Sequence, residues 1–158
     1  MGSTIFLHLS FLKVYFLSKS PLKKGEGIVK KIHIHTFGCA YVGNQPPPSP
    51  LSRPWDLCLN AQHLRDPHDS GLNPATRDRF LAENSEEVEF IGAFADFMVG
   101  LVFQRFEEAA IAINCKHGWA RSVSLAEILA GYFREFGYEV EVVHLHHGLP
   151  PVESDCDG

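Results

Sequence analysis

The chain has 158 residues, 45% of them hydrophobic, with 14 basic and 19 acidic side chains and a formal charge of -5 at pH 7. That suits one domain with its own core and excludes global disorder. Four scattered cysteines do not make a disulfide-stapled scaffold; with no secretion signal, the expected compartment is the cytoplasm and the expected cysteine state is the thiol.

The charge is uneven. Residues 1–28 hold Lys13, Lys19, Lys23 and Lys24 against Glu26, which leaves a net of -8 on the remainder. Residues 4–17 are apolar but shorter than the roughly 18–20 residues of a membrane span, and no basic residue precedes them as in a signal peptide. The expected organisation is an extension at 1–28, an α/β domain at 29–150 and an acidic tail at 151–158, with no membrane partner.

In chain order, residues 28–36 alternate Ile32 and Ile34 with His33 and His35 and predict a strand ended by Phe37 and Gly38. Residues 41–54 hold five prolines and predict a loop. Residues 55–59 predict a short second strand, and 60–73 a long irregular segment of the kind that carries function. Residues 86–106 predict a long helix: Val88, Ile91, Ala95, Met98 and Val102 recur at helical spacing, and Phe90, Phe94, Phe97 and Leu101 widen the stripe, so these aromatics are expected in the core or in helix–helix contacts, with Ser85 as cap. A strand at 109–115, a helix at 123–136 stopped by Gly137 and a strand at 138–145 complete a right-handed βαβ unit. The fold class is α/β: a small, mostly parallel sheet with helices packed on it.

The chemistry concentrates between the strand at 109–115 and the helix at 123–136. Residues 114–122 read Asn-Cys-Lys-His-Gly-Trp-Ala-Arg-Ser. A helix start offers free N–H groups and partial positive charge. Gly118 permits a tight cradle, and Lys116, Arg121 and Ser122 add donors to an oxyanion. The expectation is an anion site, for phosphate above all. His117 and His68 are candidate contacts, and Trp119 is placed either to stack on a ligand or to cover the loop.

Cys115 and Arg121 also match the spacing of the cysteine-dependent phosphatase signature: Cys, five residues, Arg, then Ser or Thr. In that chemistry Cys115 is the nucleophile, Arg121 the phosphate binder, and Asp66 or Asp69 the acid for the leaving group. Asn114 stands where that signature has its usual His. Strand ends in a parallel sheet converge on one edge, which would bring His35 and His68 to the same loop. No Cys-x-x-Cys or His-Glu-x-x-His spacing occurs, so no metal and no cofactor are expected.

From residue 32 to about 146 the chain resembles the C-terminal domain of the RapZ/YvcJ family, the RNase adapter proteins. Thr36-Phe37-Gly38 is similar to the family's Ser-Phe-Gly at the end of the first strand. Asn60 to His68 is similar to its Asp-x-Arg-x-Leu-x-Asn-Pro-His segment, and Ser70-Gly71-Leu72-Asn73 to its Thr-Gly-Leu-Asp. Residues 115–123 are similar to its Cys-Thr-Gly-Gly-x-His-Arg-Ser-Val, with Tyr132-Phe133 and Gly137-Tyr138 continuing the match. The resemblance implies a non-catalytic domain that senses glucosamine-6-phosphate, binds a small regulatory RNA and assembles into homo-oligomers. The implied ligand set is His35, Thr36, Gly38, Asp66, His68 and the loop from Cys115 to Ser122.

Three departures bear on it. No Gly-x-x-x-x-Gly-Lys-Ser/Thr is present, so ATP or GTP hydrolysis is not expected. Asn60 and Gln62 replace the family's Asp and Arg, His117 a loop glycine, and Ala120 the His before Arg121. The family's basic C-terminal end gives way to acidic residues here, and phosphate-backbone binding needs clustered Lys and Arg. The leading reading is a regulatory binding domain for a phosphorylated small molecule. A small phosphatase and a reduced RNA or protein adapter are the alternatives.

Overall fold

The computed structural model describes residues 29–43 and 45–153. The apolar run at 4–17 and most of the acidic tail lie outside the described residues.

Four strands, β1 (Lys31–Gly38), β2 (Leu57–Asn60), β3 (Glu108–Cys115) and β4 (Glu139–His144), form one sheet in the order β2-β3-β1-β4. Every adjacent pair is parallel, with Ile34 opposite both Ile111 and Val142. The expected α/β class is therefore found, with β3 and β4 in one parallel sheet and β1 between them. Because all strands run the same way, their carboxyl ends share one edge.

Alternation decides which side each residue serves. Ile32, Ile34 and Thr36 of β1 are fully buried, with Ile32 and Ile34 in the main core. His33, His35 and Phe37 fall on the opposite face by the period of two. β3 is buried from Ala109 to Cys115, the pattern of a central strand covered on both sides. On that second face, Trp55 sets its ring edge-on to His35 at 5.3 Å and donates its indole N–H to the Pro47 carbonyl at 2.7 Å. The proline-rich segment thus covers part of the sheet. Asp56 fastens it further by accepting the Ala110 N–H at 2.8 Å.

The helices are α1 (Cys39–Val42), α2 (Pro74–Glu83), α3 (Ser85–Val102) and α4 (Arg121–Glu135). The short α1 and the whole of α2 were not expected. α2 buries only Thr76 and Phe80, too narrow a stripe to betray a helix by periodicity, although its start is well signalled. Pro74 occupies the first position and the Asn73 side chain accepts the Ala75 N–H at 3.0 Å. The strand boundaries also move: β1 continues through Gly38, and β2 starts at Leu57 rather than at Trp55.

Ser85 is the first residue of α3 rather than its cap. Asn84 takes the cap position, but its side chain bonds elsewhere: Oδ1 accepts the Arg65 N–H at 2.7 Å and Nδ2 donates to the Phe80 carbonyl at 2.9 Å. Asn84 therefore ties the α2–α3 junction to the segment after β2.

The aromatics of α3 are not in the core of the chain. Val88, Gly92, Ala95 and Val99 face inward, whereas Phe90 is 73% exposed, Phe97 56% and Phe94 42%. The physical reason is helical phase: Val88, Gly92, Ala95 and Val99 share the face turned to the core, and Phe90, Phe94 and Phe97 fall on the other side of the same helix. Phe103, beyond the helix, packs on Tyr138 at 5.2 Å, while Phe106 remains 45% exposed.

Candidate functional site

The carboxyl edge of the sheet carries the turn from β3 into α4. Cys115 ends the strand and Arg121 begins the helix. Ala120 stands before the helix and has no side chain to cap it. The first intrahelical bond runs from the Ser124 N–H to the Ala120 carbonyl at 2.8 Å. The N–H groups of Arg121, Ser122 and Val123 thus have no acceptor within the helix.

Two glycines fix this turn against β1. Gly118 has a φ of +68°, and a Cβ there would lie 2.7 Å from the Gly38 nitrogen. A Cβ on Gly38 would come within 2.5 Å of the His117 carbonyl carbon. Backbone therefore touches backbone, which only glycine permits at both positions. The Ala40 N–H donates to the Lys116 carbonyl at 2.9 Å, and the Gly71 N–H to the Trp119 carbonyl at 3.1 Å. The end of β1, the turn, and the segment before α2 are fastened together.

Between them lies a pocket of about 270 Å³. Cys115, Lys116, His117, Trp119, Ala120 and Arg121 line one wall; Asp66, His68 and Asp69 line the other. Arg121 donates from Nη1 to the Gln62 carbonyl and holds its Nε 3.5 Å from Asp66 Oδ2. That Nε is buried and makes no hydrogen bond. Asp66 accepts the His68 N–H at 2.8 Å. This bond holds His68 at a φ of 56°, with its side chain 88% exposed. Asp69 accepts from the Ser70 N–H at 2.7 Å and the Thr76 hydroxyl at 3.0 Å. The Ser70 and Thr76 bonds hold its carboxyl below the usual carboxylate range. Cys115 is only 3% exposed, with Sγ 3.1 Å from Ser122 Oγ. Trp119 is 45% exposed at the rim.

The histidines at and just after the end of β4 brace this edge rather than line the pocket. His144 donates Nε2–H to Glu127 at 3.1 Å and so accepts the Thr36 hydroxyl at Nδ1, 2.8 Å away. His146 Nδ1 accepts the Gly38 N–H at 2.9 Å. His147 shares a 2.8 Å hydrogen bond with Ser70. Burial pushes the pKa values of His146 and His147 down, with the neighbouring His144 adding to the effect at His147.

Of the site residues expected from sequence, Asp66, Asp69, His68, Cys115, Lys116, His117, Trp119 and Arg121 come together at the pocket. His35 does not: it sits against Trp55, and burial lowers its pKa. Thr36 is fully buried under His144, and Gly38 is the packing partner of the turn rather than part of the pocket wall. The strand ends do converge, but alternation turns His35 to the other face of the sheet. Gly118 shapes the turn from behind, and Ser122 points at Cys115. Sequence reasoning missed Gln62, whose backbone carbonyl positions Arg121; a main-chain contact leaves no residue-type signal. Among the described residues no group of three or more His, Cys, Asp or Glu is placed to hold a metal ion. No helix among them is long and apolar enough to cross a membrane.

An all-parallel sheet with a pocket outside its carboxyl edge is the layout of an open α/β binding domain. Residues 30–148 match the family model for the RapZ C-terminal domain, and the chain belongs to that family. It is similar to a nucleotide-binding protein of Granulibacter bethesdensis, 34% identical over 139 residues that cover 82% of this chain and 40% of that protein. A nucleotide-binding protein of Citrifermentans bemidjiense is 27% identical over 135 residues, covering 78% of this chain and 44% of its own length. One from Gluconacetobacter diazotrophicus is 36% identical over 95 residues, covering 52% and 26%. The chain spans less than half the length of these curated relatives.

Proposed function

We propose that residues 29–150 act as a binding domain, regulatory rather than catalytic, for a phosphorylated small molecule of the sugar-phosphate class, with residues 1–28 and 151–158 as appendages. The observation that carries this is the start of α4: a helix end without a side-chain cap, opening beside a pocket that Lys116 and Arg121 line. A phosphoryl group supplies the missing acceptor for those N–H groups and is drawn by the helix dipole. The Arg121 guanidinium, which lines the pocket, adds a charged donor. Asp66 holds the guanidinium in position, which lowers the ordering cost of binding.

The phosphatase reading is weaker on chemistry. A leaving-group acid must carry a proton at working pH, whereas the hydrogen bonds to Asp69 favour its ionised form. Asp66 is turned to Arg121, 3.5 Å from its Nε, and accepts the His68 N–H, so it is placed to position the guanidinium. The RNA-adapter reading lacks the clustered cations that a nucleic-acid backbone needs. The nucleotide-binding label of the relatives belongs to much longer proteins.

Calorimetric titration with phosphorylated sugars, with inorganic phosphate as reference, tests the proposal. Binding by the wild type that is lost in Arg121→Ala and kept in Cys115→Ser supports it. Absence of binding to any of these anions refutes it. Turnover of an aryl phosphate that disappears in Cys115→Ser moves the assignment to a phosphatase.

A further inference from the structure

α3 carries a second apolar stripe on its outer side. Phe90, Phe94, Phe97 and Leu101 recur at spacings of four, three and four residues, and all four are exposed. Helical phase places them opposite the buried Val88, Gly92, Ala95 and Val99. A helix apolar on both sides is one that buries both sides, and a contiguous aromatic patch on a surface marks an interaction site. The chain itself contains a matching piece. Ten of the fourteen side chains at 4–17 are apolar or aromatic, among them Phe6, Phe11, Tyr15 and Phe16.

We infer that residues 4–17 dock on the outer face of α3 of the same chain, as a cover over Phe90, Phe94, Phe97 and Leu101. The connection supports this, because β1 starts beside the end of α3. The Lys31 N–H donates to the Glu107 carbonyl at 3.0 Å, and Lys30 Nζ donates to the Phe103 and Phe106 carbonyls at 3.3 and 3.2 Å. Residues 18–28 are then a tether of eleven residues. At about 3.3 Å per residue it reaches up to about 36 Å, whereas the stripe from Phe90 to Leu101 is about 17 Å long at about 1.5 Å per residue. A short tether holds the run at an effective concentration of roughly millimolar, so modest contact energy suffices to keep it docked.

Charge complementarity selects the same occupant. α3 carries Glu86, Glu87, Glu89 and Asp96 and no Lys or Arg. Glu86 and Glu87 flank the stripe beside Phe90 and line, with His63 and Ile91, a groove of about 260 Å³. Past the other end of α3, Arg105 is accompanied by Glu107 and Glu108. Acids therefore dominate both ends of the stripe. Residues 1–28 have the opposite sign, with Lys13, Lys19, Lys23 and Lys24 against Glu26. Their ammonium groups meet these carboxylates while the lysine stems lie along the rings. A second copy of α3, or an anionic membrane, would set negative charge against negative charge.

The test uses the full chain carrying Phe94→Cys, with Phe97→Cys as a separate second variant. Peptide mass mapping reads the rate at which a maleimide labels the introduced thiol. Each variant is compared with and without Phe6→Asp, Phe11→Asp and Phe16→Asp, which remove the apolar character of the run, and circular dichroism checks the fold. Labelling is expected to be about 10-fold slower with the intact run than with the three aspartates, equivalent to docking about nine-tenths of the time. The rate should not depend on protein concentration from one to tens of micromolar. Equal rates in the two backgrounds overturn the inference. Protection that grows with protein concentration overturns it in favour of a second copy. Equal, fast rates in a chain that pellets with phosphatidylserine vesicles overturn it in favour of a membrane surface.

Discussion

The two long helices look alike in sequence and serve opposite purposes. α4 puts Val123, Leu125, Ala126, Leu129, Ala130 and Phe133 into the core and starts at the pocket. α3 buries only Val88, Gly92, Ala95 and Val99 and turns its phenylalanines outward. Apolar character is a property of the side chain; burial is a property of the face it occupies. A helix against a sheet meets the core on one face only, and the residues on that face need not be the largest ones.

The sharpest way to break this contrast is to truncate one aromatic on each helix. Phe133 is fully buried, so Phe133→Ala is expected to cost about 3–5 kcal/mol in urea unfolding. The matching change on α3, Phe90→Ala, is expected to have the smallest effect, since Phe90 is 73% exposed. Next, Arg121→Ala at the start of α4 is expected to weaken phosphate binding by about 10- to 100-fold, as for loss of a charged hydrogen bond. The two effects separate the body of α4, which serves stability, from its first residue, which serves the pocket.

Gly118→Ala follows. With a φ of +68° and backbone 2.7 Å from the new Cβ, it is expected to cost about 1–3 kcal/mol. It also moves the turn away from Gly38, so calorimetry should show weaker phosphate binding.

The pH dependence is smaller. Burial lowers the pKa values of His35, His146 and His147 in the folded chain. The unfolded chain then binds more protons, so stability rises with pH across the window between the lowered folded values and the unfolded value of about 6.5. Above that window the contribution is complete, and it is lost as pH falls through it. Urea midpoints should therefore drop between pH 7.5 and pH 5.5. His146→Asn, which cannot titrate, should flatten part of that slope. Protonated His146 cannot accept the Gly38 N–H, so acidification also loosens the strand end beneath the turn.

The smallest expected effect on folding is that of Phe90→Ala, within about 0.5 kcal/mol. A cost near that of Phe133→Ala would mean that Phe90 belongs to the core of the domain, and the contrast between the helices would fail.

Much of this was legible in the sequence. The alternation of Ile32 and Ile34 with His33 and His35 gave β1, and the apolar run at Ala109–Cys115 gave β3, whose central place in the sheet the structure added. The composition of the turn from Cys115 to Arg121 located the candidate site. Pro74 and Asn73 signalled a helix start that the expected loop obscured, because α2 buries too little to show a period. Ser85 misled because Ser is a common cap, while the hydrogen bonds that settled the junction come from Asn84 to Arg65 and Phe80, set by tertiary packing.

By itself the sequence determined the parallel α/β class, the family, and the loop between β3 and α4 as the candidate site, because periodicity and local spacing are written in residue order. Only the tertiary structure decided that His35 turns away from the pocket while Asp66 and Gln62 reach Arg121. It also decided that the aromatic side of α3 faces outward. Those outcomes depend on which segments meet across the sheet edge and which face of each helix they cover, relations that no local stretch of sequence contains.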